Sequence, residues 1–188
     1  MSAEALLNNE RHYSYADYLS WDDGYRYELI NGKAFMMSSP NEAHQRISGN
    51  VFGELYMNLK GKTCVAFTAP FDVRLNAACG DDTVVQPDVF VVCDKTKLDG
   101  KSCVGAPDLV IEVLSPSTMG MDKLKKFNAY LEAGVREYWI IDPNDRVVTT
   151  FVLDNGRYVA NMYGDTAVVP VTALEGCEIN MADVYAGV

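Results

Sequence analysis

Two acidic residues sit where a carboxylate is costly. Glu112 lies in the middle of the run DLVIEVL (Asp108 to Leu114), and Asp88 lies in TVVQPDVFVVC (Thr83 to Cys93). Both runs are strand-like and mostly apolar, and a carboxylate buried in such a strand costs several kcal/mol unless a cation or a metal meets it. Hydrogen bonds readily explain one buried acid, but two in separate apolar strands point to a shared partner. Carboxylate oxygens suit a hard cation, and magnesium typically binds one or two carboxylates while keeping several waters. Such an ion activates water and stabilises charge on a phosphorane-like transition state. With a lysine close by to hold the water or the developing oxyanion, the pair is the minimal set for metal-dependent phosphodiester hydrolysis.

Periodicity indicates the elements that must position these acids. In DLVIEVL, alternation puts Asp108, Val110, Glu112 and Leu114 on one face and Leu109, Ile111 and Val113 on the other. With both faces apolar, the strand reads as central and parallel. The run DKLKKFNAYLEAG then reads as its crossover helix, and REYWIIDP as the second strand. Upstream, residues 1–13 read as frayed or loosely attached, and Ser14 before YADYLSW, with Asp17 three residues on, marks a short capped helix. YRYELI and KAFMMS flank Asn31-Gly32, a hairpin signal, and Arg26, Glu28 and Ile30 share a face of its first arm. Ile47, Val51, Leu55 and Leu59 form the buried stripe of a helix that starts near Asn41 and ends near Gly61. His44 lies one turn before Ile47 on the same side, and Gly49 and Gly53 suggest close packing against a neighbour. TCVAFTA and FDVRL read as strands, and Pro87 leaves the strand around Asp88 bulged or unpaired. Residues 94–106 read as a polar loop, Asp154-Asn155-Gly156 as the turn of a second hairpin, and AVVPV as a late edge strand.

The 188 residues fit one domain with a sizeable core, with 48% hydrophobic and 22% charged residues. No apolar run reaches the roughly twenty residues needed to span a bilayer, and MSAEALLNNERHYS lacks signal-peptide features. The expectation is a cytoplasmic protein without membrane contact. Cys64, Cys79, Cys93, Cys103 and Cys177 are scattered, form no CxxC, and read as reduced thiols rather than a zinc site. A net charge of −10 argues against a general nucleic-acid coat protein, but not against a local site where a divalent cation supplies the positive charge.

YELINGKA, the HQRI start of the long helix, FDVRL, VVQPDVFVV and GAPDLVIEVLSPST occur in that order, followed by D-x-x-x-K-x-x-x-Y-x-x-x-GVREYWIIDP. This series, spanning about residues 25–143, resembles the Uma-type family of restriction-endonuclease-like proteins within the PD-(D/E)XK nuclease superfamily. The resemblance implies an α/β fold in a single restriction-endonuclease-like domain over residues 1–188, with its core at about 25–143 and a hairpin extension at 144–188. A mixed sheet would be flanked by helices and contain a right-handed βαβ unit, with N- and C-terminal β-hairpins. It also implies a magnesium- or manganese-dependent endonuclease acting on DNA, with Asp88 and Glu112 holding the metal and Glu28 assisting. One departure stands out. The superfamily lysine falls two residues after the acid, where this chain has Leu114. The family's helix lysine corresponds to Lys126, for which the bland alternative is a salt bridge to Asp122; Lys123 and Lys125 read as solvated. Gln86 and His44 are candidates for polar support around the metal. The rival readings are a non-catalytic binding or assembly module of the same fold and a metal-dependent phosphoesterase acting on a smaller substrate. Tyr158 and Tyr163, read as exposed, would suit a homodimer surface.

Overall fold

The computed structural model describes residues 11–115 and 122–188. In chain order, α1 (Tyr15–Tyr18) precedes a hairpin of β1 (Tyr27–Ile30) and β2 (Lys33–Met36), then the long helix α2 (Glu42–Leu59). Short strands follow: β3 (Val65–Thr68), β4 (Asp72–Arg74), β5 (Val84–Val85), β6 (Val89–Val92) and β7 (Ser102–Val104). The central unit is β8 (Leu109–Val113), α3 (Asp122–Ala133) and β9 (Glu137–Asp142). The chain ends with β10 (Val147–Asp154), β11 (Arg157–Gly164), β12 (Val168–Pro170), β13 (Glu178–Asn180) and α4 (Met181–Val184).

One sheet runs β11-β10-β9-β8-β6-β3 and a second runs β2-β1-β5-β4-β7. β8 and β9 pair in parallel, as a crossover through α3 requires, whereas β6 pairs antiparallel to β8 and β10 antiparallel to β9. The mixed sheet expected from the sequence is therefore present. Alternation along β8 feeds two cores. Leu109, Ile111 and Val113 join Ile47, Val51 and Leu55 of α2 in one cluster, while Val110 joins Tyr130 and Tyr138 in the other. The stripe on α2 is buried as its four-residue spacing predicts, and the Asn41 side chain caps the helix by accepting from the His44 backbone N–H at 2.9 Å. Ser14 and Asp17 form the reciprocal capping box of α1. Asn31 and Gly32 take positive φ in the β1–β2 turn, 51° and 71°.

Several expectations need correction. The apolar run 83–93 is not one strand. It breaks at Gln86-Pro87-Asp88, so β5 belongs to the second sheet and β6 to the first, because Pro87 has no N–H to continue a ladder. Residues 94–106 contain a 3-10 turn (Lys95–Lys97) and β7 rather than loop alone. Tyr13 is fully buried and its N–H reaches the Gly32 carbonyl at 2.8 Å, so the chain is anchored there; residues 1–10 of the expected frayed segment lie outside the described residues. Gly49 and Gly53 face open space, with nothing within 4 Å of an added Cβ. Cys64 and Cys93 are not reduced thiols but a disulfide, whereas Cys79, Cys103 and Cys177 are free. The β3–β6 register, Val65 opposite Val92, carries the two cysteines to facing positions. Tyr158 and Tyr163 turn partly into the cores instead of forming an exposed pair, and the Tyr158 hydroxyl donates to the Val135 carbonyl at 2.9 Å.

Candidate active site

The break at Pro87 places Asp88 at the entrance of β6, next to the C-terminal end of β8. One Asp88 oxygen accepts the Val113 N–H at 2.8 Å and also meets His44 Nε2 at 3.0 Å. His44 is buried in the first turn of α2, so the Asn41 cap that starts the helix also aims the imidazole at Asp88. Burial pulls the His44 imidazole down, but the hydrogen bond and charge of Asp88, with the charge of Glu112, hold it above its ordinary value.

Glu112 projects from β8 toward α3. Its Oε1 accepts from Lys126 Nζ at 3.0 Å and from the Tyr130 hydroxyl at 2.6 Å. Lys126 and Tyr130 are four apart, on one face of α3, and so reach the same oxygen. The Lys126 amine also meets Glu28 Oε1, on β1, at 2.9 Å. One ammonium thus bridges acids from two different sheets, and the helix supplies the lysine that Leu114 does not. Burial pushes the Glu112 carboxyl up to about 7; Lys126 and Tyr130 oppose the rise, and Asp88 and Glu28 add to it. Burial works against the charge on Lys126, yet Glu112 and Glu28 hold it well above the usual lysine value. It is a fixed cation, not a proton acceptor. The Lys126–Asp122 alternative and Lys123 involve side chains outside the described residues, and Lys125 Nζ lies 4.1 Å from the centroid of the Phe35 ring.

Gln86 braces Glu28 rather than Asp88. Its backbone N–H donates to Glu28 Oε1 at 2.8 Å, and its side-chain Nε2 donates to Asp72 Oδ1 at 2.9 Å and to the Tyr18 hydroxyl at 3.0 Å. Its Oε1 accepts from Nε and Nη2 of Arg26, at 3.2 and 2.5 Å. All these groups line or back a cleft of about 260 Å³ whose apolar wall includes Phe35, Met36 and Met37. The structure therefore brings together Asp88, Glu112, Glu28, Lys126, His44 and Gln86. Two participants escaped sequence reasoning. Tyr130 was signalled by its four-residue spacing from Lys126, and Arg26 by sharing a strand face with Glu28.

Three acids, Glu28, Asp88 and Glu112, converge on this cleft, with Lys126 and His44 paired directly to them. Among the described residues, no three His, Cys, Asp or Glu side chains form a ready-made metal cage. Magnesium and manganese take oxygen donors and are commonly held by one or two carboxylates, the donor type that Asp88 and Glu112 provide.

A mixed sheet flanked by helices, with acids from two sheets meeting a lysine from the crossover helix, is the arrangement of a restriction-endonuclease-like protein. A solved structure described as a putative nuclease belonging to DUF820, from Anabaena variabilis, superposes with a TM-score of 0.74 at 20% identity, covering 92% of this chain and 97% of that one. The chain belongs to the Uma2 family, described as "Putative restriction endonuclease", which matches residues 15–182. It is also 25% identical over 169 residues to an uncharacterised Synechocystis protein, slr1290, covering 87% of this chain and 82% of that one. A second uncharacterised protein of that organism, sll1609, is 30% identical over 118 residues, covering 61% of this chain and 65% of that one. Among the described residues, no helix is long and apolar enough to cross a membrane.

Proposed function

We propose that this protein is a nuclease that hydrolyses phosphodiester bonds in DNA, with magnesium or manganese held by Asp88 and Glu112. The observation that carries this reading is Lys126 Nζ within 3.0 Å of both Glu112 and Glu28, despite Leu114 at the strand position. In the reaction, a water oxygen adds to phosphorus, the bond to the leaving sugar oxygen breaks, and that oxygen takes up a proton. When bound, the ion supplies positive charge against the phosphate and makes water a better nucleophile. Lys126 remains an ammonium beside Glu112 and stabilises negative charge on the phosphate oxygens as it builds. His44 fixes the Asp88 carboxylate from one side while the Val113 N–H fixes it from the other. Tyr130 and the Gln86 backbone orient Glu112 and Glu28 in the same manner.

The test is cleavage of plasmid DNA by purified protein with magnesium or manganese, alongside Asp88→Ala, Glu112→Ala and Lys126→Ala. The wild type cuts, and each variant loses about 100-fold or more in rate. Full activity in Glu112→Ala would overturn the assignment. The net charge of −10 favours a second reading, a phosphoesterase acting on a smaller substrate with fewer phosphates to attract. Under that reading, mononucleotide esters are hydrolysed and plasmid DNA is left intact.

A further inference from the structure

We infer that Arg26 binds a backbone phosphate of the substrate next to the one that is cut, an inference that rests on the nuclease reading above. The other cations of the cleft are committed: Lys126 to Glu28 and Glu112, and His44 to Asp88. Arg26 also lines the cleft, but among the described residues no carboxylate pairs with it. Of the seven arginines in the chain, five meet an acid among the described residues: Arg11, Arg46, Arg74, Arg136 and Arg146. Arg26 instead donates through Nε and Nη2 to the Gln86 side-chain oxygen. A neutral amide fixes the guanidinium plane without cancelling its charge.

The brace is itself anchored. Gln86 is 8% exposed, and its amide nitrogen is held by Asp72 and Tyr18, so the guanidinium hangs on a chain of hydrogen bonds that begins in the second sheet. Arg26 is exposed and meets an incoming anion without a large desolvation cost. Its planar fork suits phosphate oxygens. Alternation puts Arg26 on the Glu28 side of the hairpin, two residues before it and therefore about 7 Å away along the strand. That offset sets Arg26 beside the acid cluster, not on it. A phosphate seated there neighbours the scissile one, which requires a polymer with successive phosphates and explains how an acidic protein can hold a nucleic-acid strand at this cleft.

The experiment measures binding of a fluorescently end-labelled short DNA duplex by anisotropy, in calcium buffer and across a range of salt concentrations. Wild type is compared with Arg26→Ala and with Arg26→Lys, which keeps the charge. The same preparations are assayed for plasmid cleavage in magnesium. Loss of one phosphate contact flattens the plot of log affinity against log salt by about 0.9. Arg26→Ala is expected to show that shift with weaker binding, and Arg26→Lys to keep the wild-type slope. If the wild type cuts DNA and Arg26→Ala keeps the wild-type slope and affinity, the Arg26 assignment is overturned and the nuclease reading stands. If the slope shifts as expected but the wild type cuts nothing, the nuclease reading is overturned, Arg26 is a phosphate contact only, and the chain is a binding module. A wild type that binds no duplex overturns both.

Discussion

Lys126 is the residue on which the site turns, because it is the ammonium between two buried carboxylates, Glu28 at 6% and Glu112 at 9% exposure. Removing one partner of a buried ion pair leaves the other charges uncompensated, a loss of about 3 kcal/mol or more. Lys126→Met is therefore expected to lower stability by that amount in urea denaturation, and added magnesium to recover part of it by replacing the missing charge. An unchanged midpoint would mean that the amine and the acids do not hold each other. At this scale the sequence was informative about charge but not about partnership. Asp88 and Glu112 stood out as acids in apolar strands, whereas Lys126 was singled out only by the family resemblance. The Arg26–Gln86 contact joins positions 60 residues apart, and nothing local in either segment announces it.

Among the elements, the β1–β2 hairpin matters most to the site, since it carries Glu28 and follows directly from Arg26. Its turn needs positive φ at Gly32, and a Cβ there would meet the His12 ring at 2.3 Å. Gly32→Ala is expected to cost about 1–2 kcal/mol from the left-handed backbone alone. It should also shift the hairpin enough to weaken the Glu28 contact, visible as a lower midpoint in thermal unfolding together with reduced DNA cleavage. A variant as stable as wild type would show that this turn is not constraining. The hairpin was legible because Asn-Gly chemistry is local. The division of residues 83–93 between two sheets was not, because Pro87 announces a break but not which neighbour each half will find. The facing of Cys64 and Cys93 depends on the β3–β6 register, which spacing in the chain does not encode.

Across the whole molecule, the C-terminal segment proves integral to the core. Val169, Val171, Leu174, Ile179, Met181 and Val184 share a cluster with the α2 stripe, where the sequence suggested only an extension with a late edge strand. Glu137, fully buried on β9, fastens this segment: one carboxyl oxygen accepts from Trp139 Nε1 at 2.7 Å and the other from the Ala173 N–H at 2.6 Å. Burial raises the Glu137 carboxyl above its ordinary value, despite these bonds, so the folded state favours the protonated form. That contribution to stability is full below the unfolded-state value and fades as pH rises through the raised folded-state value. Glu137→Gln does not titrate at this position, so its stability relative to wild type is expected to improve as pH rises from the ordinary glutamate range towards neutrality. Urea midpoints for both proteins across that range check the sign, and a pH-independent difference would contradict it. The same low tolerance for buried charge shapes the cleft, where Lys126 is paired with Glu28 and Glu112 and His44 with Asp88.

The most decisive measurement is a calorimetric titration of magnesium and of manganese into wild-type protein and into an Asp88→Ala, Glu112→Ala double variant. Saturable heat in the wild type and none in the variant is the predicted result. Equal heats in both proteins, or none in either, would contradict a metal-dependent nuclease centred on these two acids.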